Sequence, residues 1–165
     1  PPDNLLRDFF IHTSETLEGA GYIHYEVSNF ARGKDRMSRH NRKYWNQTPY
    51  LGLGPAAHSF SGVRRWWNHR SLDRYIDMVN AGLPPIGGTE ILSREQILLE
   101  AFYLGMRTRE GIDLERFAER YGCDLIAEKG TALRALQEQG LITIQEGCLR
   151  PTRAGFAVSD SLPVI

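Results

Sequence analysis

The sequence predicts an α/β segment followed by a small α-rich domain of winged-helix type. Three patterns carry this expectation. Residues 5–27 read as a helix running straight into a strand, residues 82–88 form a proline–glycine linker, and residues 93–152 read as three capped helices and a hairpin.

Leu5, Leu6, Phe9, Phe10, Thr13 and Leu17 recur at helical spacing, and Gly19 with Gly21 stops the run. The stretch Tyr22-Ile23-His24-Tyr25-Glu26-Val27 is rich in aromatic and β-branched residues and reads as a strand. A helix feeding a strand is half of a βαβ unit, and so abrupt a start is expected of a fragment. Residues 31–49 lack a periodic pattern and are expected to form a long basic loop, of a length that is more often functional or disordered than an idle connector. Tyr50-Leu51-Gly52-Leu53-Gly54 reads as a short glycine-rich strand ended by Pro55, its small residues letting backbone approach closely.

From Ser71 to Ala81 the spacing predicts a helix with Leu72, Tyr75, Ile76 and Val79 on one side. Gly82-Leu83-Pro84-Pro85-Ile86-Gly87-Gly88 is the expected linker, dividing the chain into domains 1–88 and 89–165. Beyond it, Ser93-Arg94-Glu95-Gln96 is a capping box opening a helix with Leu98, Ala101, Phe102 and Gly105 on one face. Asp113 caps a second helix closed by Gly122. Asp124 caps a third, with Ile126, Leu133 and Leu136 expected to face inward and Gly140 at its end. Leu141–Ile144 and Cys148–Arg150 flank Gln145-Glu146-Gly147 as a hairpin, and Thr152 starts a last helix.

Composition bounds the function classes. No apolar run approaches the ~20 residues of a membrane-spanning helix. The first residues carry neither the basic nor the apolar region of a signal peptide. Cys123 and Cys148 are too few and too far apart for a disulfide framework or a paired metal motif, so a reducing, cytoplasmic setting is expected. The net charge is zero, yet residues 31–70 hold nine bases (Arg32, Lys34, Arg36, Arg39, Arg42, Lys43, Arg64, Arg65 and Arg70) against Asp35 alone. The same segment holds Trp45, Trp66 and Trp67, all the tryptophans of the chain. Basic charge interleaved with aromatic rings suits a flat anionic ligand or a nucleic acid, and equally describes a solvated basic loop.

The sharpest segment is Ser38-Arg39-His40-Asn41-Arg42-Lys43-Tyr44-Trp45. Heme iron takes an axial histidine, its propionates suit two-pronged arginine contacts, and its faces suit aromatic rings. His40, Arg39 with Arg42, and Tyr44 with Trp45 supply all three within eight residues. His58 and His69 read as scattered histidines, and Trp66-Trp67 as a pocket wall or a barrel plug.

Residues 40–45 match the HNRxYW motif associated with heme binding, and so resemble the HemW-type members of the radical-SAM coproporphyrinogen-oxidase-like family. Residues 25–31 resemble that family's YEISNFA. Residues 50–59 resemble its YLGLGPGAHS, with Ala56 where the family has glycine. Arg65–Asn68, Leu99–Arg107 and Glu110–Asp113 continue the likeness, which runs from about Gly21 to the end.

The resemblance implies that residues 1–88 are the last helix and strands of a radical-SAM partial (β/α) barrel, and residues 89–165 the winged-helix-like C-terminal domain. It implies His40 as the axial heme ligand, with Arg39, Asn41, Arg42, Tyr44 and Trp45 in the same heme-binding motif and Arg39 and Arg42 near the propionates. Ala57 and His58 would lie near S-adenosylmethionine. The family's three-cysteine motif for a [4Fe–4S] cluster is absent from this sequence, so the chain alone is expected to catalyse nothing. The implied partners are heme and recipient hemoproteins, with room for homodimerisation and for peripheral membrane association of a longer parent. The readings therefore rank as heme delivery, oxygen-independent coproporphyrinogen III oxidation, and nucleic-acid binding. The last is disfavoured because acids outnumber bases from Thr89 onward.

Overall fold

The structure, a computed structural model, describes residues 2–159; the last six positions of the expected C-terminal domain lie outside the described residues. Helix α1 (Asp3–Gly19) leads to an antiparallel pair of strands, β1 (Ile23–Glu26) and β2 (Asn29–Ala31). The segment expected as a patternless loop holds a 3-10 turn (Lys34–Arg36) and helix α2 (Arg39–Trp45). Strands β3 (His58–Phe60) and β4 (Arg64–Asn68), helix α3 (Leu72–Asn80), strand β5 (Ile86–Ile91) and helix α4 (Arg94–Gly105) follow. The rest is β6 (Ile112–Asp113), α5 (Leu114–Tyr121), α6 (Leu125–Glu138), β7 (Ile142–Gln145), β8 (Cys148–Pro151) and α7 (Arg153–Ala157). This is a mixed α/β fold. Every strand pairing among the described residues is antiparallel, so no parallel barrel pairing occurs among them.

The chain forms two compact units: residues 1–45 with 99–165, and residues 46–98. These units cut across the 88/89 division expected from the linker. In the first unit the backbone explains why. Val27 N–H donates to Arg107 O and Arg109 N–H to Tyr25 O, each at 3.0 Å, so the segment after α4 pairs with β1. Met106, Leu133, Leu136 and Leu149 are buried to 1% exposure or less and form the centre of its core. Burial of each contributes roughly 1.5–3 kcal/mol. Leu125 faces that core, whereas Ile126, the expected inward residue, is exposed. The strand order β6-β8-β7 joins the hairpin to the short strand before α5. Glu146 and Gly147 both take positive φ at the hairpin tip, the backbone of a tight two-residue turn.

In the second unit β3, β4 and β5 form a sheet in that order. The expected linker thus supplies a strand. Gly88 lies opposite Trp67, and a Cβ there would come within 2.4 Å of the indole. The small residue that reads as a linker signal is the one the sheet needs beneath a tryptophan. The Tyr50–Gly54 strand is not formed: Tyr50 makes one bridge to Phe60 and the rest is irregular. Gly52 instead lies so close to the His58 carbonyl that a Cβ would sit 2.1 Å from it. Helix α3 forms where the spacing predicts it and is capped by Ser71, but Leu72, Ile76 and Val79 are exposed. Among the described residues no helix is long and apolar enough to cross a membrane.

Candidate functional site

The basic motif lies on α2, and a single carboxylate organises it. Glu26, the last residue of β1, is 1% exposed. Its Oε1 accepts from Asn29 Nδ2 at 2.6 Å and from Asn41 Nδ2 at 2.7 Å, and its Oε2 accepts from Trp45 Nε1 at 2.6 Å. Three donors satisfy a buried charge that would otherwise be costly. Ser38 begins the helix: its Oγ accepts the Asn41 N–H at 3.2 Å, and its own N–H donates to Tyr25 Oη at 3.2 Å. The Arg107 guanidinium lies 5.6 Å from the Trp45 ring centre. These contacts matter because α2 has only seven residues and none of them is fully buried.

The six motif residues therefore divide between directions. Asn41 and Trp45, one helical turn apart, commit their N–H groups to Glu26. His40 is exposed, and its ring meets Tyr44 edge-on at 5.0 Å, with Lys43 Nζ 5.5 Å from the Tyr44 ring. Arg39 is exposed, while Arg42 reaches both oxygens of Glu110 at 3.1 and 3.3 Å. An exposed imidazole beside an aromatic ring and arginines fits a heme held at the surface through one axial ligand. It does not fit a multi-ligand metal centre: among the described residues no three His, Cys, Asp or Glu side chains gather as one.

Ala57 and His58 belong to the second unit. Ala57 N–H donates to Gly54 O, and its carbonyl accepts from Asn68 N–H. His58 is exposed and lies opposite Trp67, with ring centres 5.7 Å apart. The Arg64 guanidinium sits 5.6 Å from the Trp66 ring. Ala56 adopts φ +57°, a backbone that favours the glycine it replaces in the motif.

The sequence places Glu26 and Asn29 near the end of their strand, where barrel sites gather, and Glu110 within the family likeness, but gives none of them a specific role. A usable signal for Glu26 was present: it is the one acid in an otherwise apolar and aromatic strand. A second polar cluster also went unread. Ser14 Oγ lies 2.9 Å from His24 Nδ1 and accepts from Arg153 Nε at 3.0 Å. Glu18 is held between Arg109 and Arg153. These residues border a cavity of about 300 Å³ with Thr152 and Phe156. His24 is buried against Phe10, Phe30 and Phe156, and that burial pushes its pKa down. Burial raises the Glu18 pKa, but the hydrogen bonds and charges of Arg153 and Arg109 outweigh it and leave the carboxyl below its ordinary value.

Over residues 92–158 the chain matches the family described as the HemN C-terminal domain. It is 35% identical over 163 residues to the heme chaperone HemW of Bacillus subtilis, a match covering 98% of this chain and 42% of that protein. It is 33% identical over 132 residues to the heme chaperone HemW of Mycobacterium tuberculosis, covering 79% of this chain and 34% of that protein. Among solved structures, the radical-SAM coproporphyrinogen III oxidase HemN of Escherichia coli shares the fold. The TM-score is 0.69 at 19% identity, covering 92% of this chain and 38% of that one. The chain thus spans about two fifths of the length of these relatives.

Proposed function

This chain belongs to the HemW/HemN family, matching its C-terminal portion, and on that premise we propose that it carries the heme-contacting surface of a heme chaperone. The observation that carries the reading is the exposed His40 ring set edge-on against the half-buried Tyr44, on a helix whose other contacts hold it in place. His40 gives the axial nitrogen, Tyr44 offers a ring to the porphyrin, and Arg39 supplies a cation for a propionate. Arg42 serves a second propionate once it leaves Glu110. Heme here is cargo. An exposed site suits cargo that must be handed to a recipient hemoprotein, because a buried ligand leaves slowly.

Residues 1–88 supply the last helix and strands of a radical-SAM barrel in the longer protein, with Ala57 and His58 near its S-adenosylmethionine. Residues 89–165 are the winged-helix-like domain, in keeping with the order helix, strand, two helices, hairpin. The two cysteines present, Cys123 and Cys148, do not form the three-cysteine motif that holds the family's [4Fe–4S] cluster. Coproporphyrinogen III oxidation is ranked second, since the fold is shared with the oxidase while HNRxYW reads as the chaperone motif. Homodimerisation rests on open strand edges and is read by light scattering, where a monomer contradicts it.

The test is retention of heme. Ferric heme is mixed with the chain and the protein is recovered by gel filtration. About one equivalent of heme co-eluting is expected from a single axial site; co-elution no greater than for a carrier protein of similar size contradicts the reading.

A further inference from the structure

We propose that Glu26 is the positioning residue for the heme-contacting face, acting through α2 without touching the ligand; this rests on the reading of His40 as heme ligand. A seven-residue helix is far below the ~12–15 residues at which isolated helices become even marginal, and no side chain of α2 is fully buried. Its polar contacts include Ser38 with Tyr25 and Arg42 with Glu110, and the two from Asn41 and Trp45 converge on one side chain. Asn41 and Trp45 are four positions apart, so they lie on one face about a turn apart. Anchoring both fixes the height of the helix and its rotation together. His40 and Tyr44 each precede an anchored residue by one position, so the same two bonds set the direction in which their rings point. Glu26 is itself fixed from the far side by Asn29, its partner across the β1–β2 pair.

The chemistry explains why the residue is a carboxylate. Trp45 Nε1 is a donor only, and the two asparagine amides present their N–H groups as well. Three donors need an acceptor with two oxygens and no hydrogen, which an ionised carboxylate provides. Charge-assisted bonds of 2.6–2.7 Å hold more tightly than neutral ones. Glutamine in its place would turn an N–H toward one of the donors.

The experiment compares the wild-type chain with Glu26→Ala, Trp45→Phe and His40→Ala. Without heme, the cross-peak between the His40 and Tyr44 rings in proton NMR reports the outward face directly. Glu26→Ala is expected to abolish it. Trp45→Phe, which keeps a ring and removes only the donor, is expected to weaken it. With ferric heme bound, Glu26→Ala is expected to show the iron spectrum of His40→Ala, and the double variant to add nothing. A ring contact unchanged in both Glu26→Ala and Trp45→Phe overturns the proposal. Should Glu26→Ala fail to fold, Trp45→Phe decides alone. Should His40→Ala leave the heme spectrum unaltered, the heme reading falls, while the ring contact still decides the role of Glu26.

Discussion

Trp45 donates its indole N–H to the buried Glu26 carboxylate at 2.6 Å, joining a strand and a helix nineteen residues apart in the chain. The bond ties two of the sequence motifs into one object. The acid comes from the Tyr25–Ala31 segment and the indole from His40–Trp45. What reads as a string of heme-suited residues is a helix with an anchoring face and an exposed face.

Glu110 competes for Arg42. Both partners of that ion pair are substantially exposed, so it is worth about 0–1 kcal/mol. Glu110→Gln is therefore expected to tighten heme binding by up to about fivefold if Arg42 turns to a propionate. Titration under matched salt checks this, and weakened binding would contradict it.

Acid should destabilise the first unit in two stages. The folded pKa of His24 lies below its ordinary 6.5, so the unfolded chain binds more protons and stability falls as pH drops below about 6.5. Glu18 is also depressed, from 4.5; its contribution is present above that value and is lost on further acidification. Urea midpoints measured between roughly pH 7 and pH 5 isolate the first stage. His24→Phe, placed among Phe10, Phe30 and Phe156, should flatten that slope; an equally steep slope would contradict the assignment.

Ala56 holds a left-handed backbone at φ +57°. Ala56→Gly relieves the Cβ clash and should stabilise the second unit by about 1 kcal/mol, net of the extra entropy of an unfolded glycine. A raised midpoint in thermal unfolding checks it, and a lowered one would show that the strain is absorbed elsewhere.

The caps were legible because their chemistry is local. Ser93 and Gln96 exchange both bonds of a capping box, and Asp113, Asp124 and Thr152 accept the N–H groups their spacing implied. Helix α2 was not legible, since it carries no apolar period and takes its stability from an acid on another element. Strand β5 was hidden by proline and glycines that normally mark a linker, though Gly88 is small to admit Trp67. The third helix was placed correctly, with Leu133 and Leu136 inward as expected; its first inward residue is Leu125 and not Ile126, because the two are equally apolar and only packing separates them. In the site, the identity of the motif was readable while its division into two faces was not. That division depends on Glu26, whose partners lie three to nineteen residues away.

The most direct test of the heme reading is a titration of this chain with ferric heme against His40→Ala, followed in the Soret band. Saturable binding with an axial-histidine spectrum, weakened and spectrally altered by the substitution, is the predicted result. Identical curves and spectra for the two proteins would contradict it.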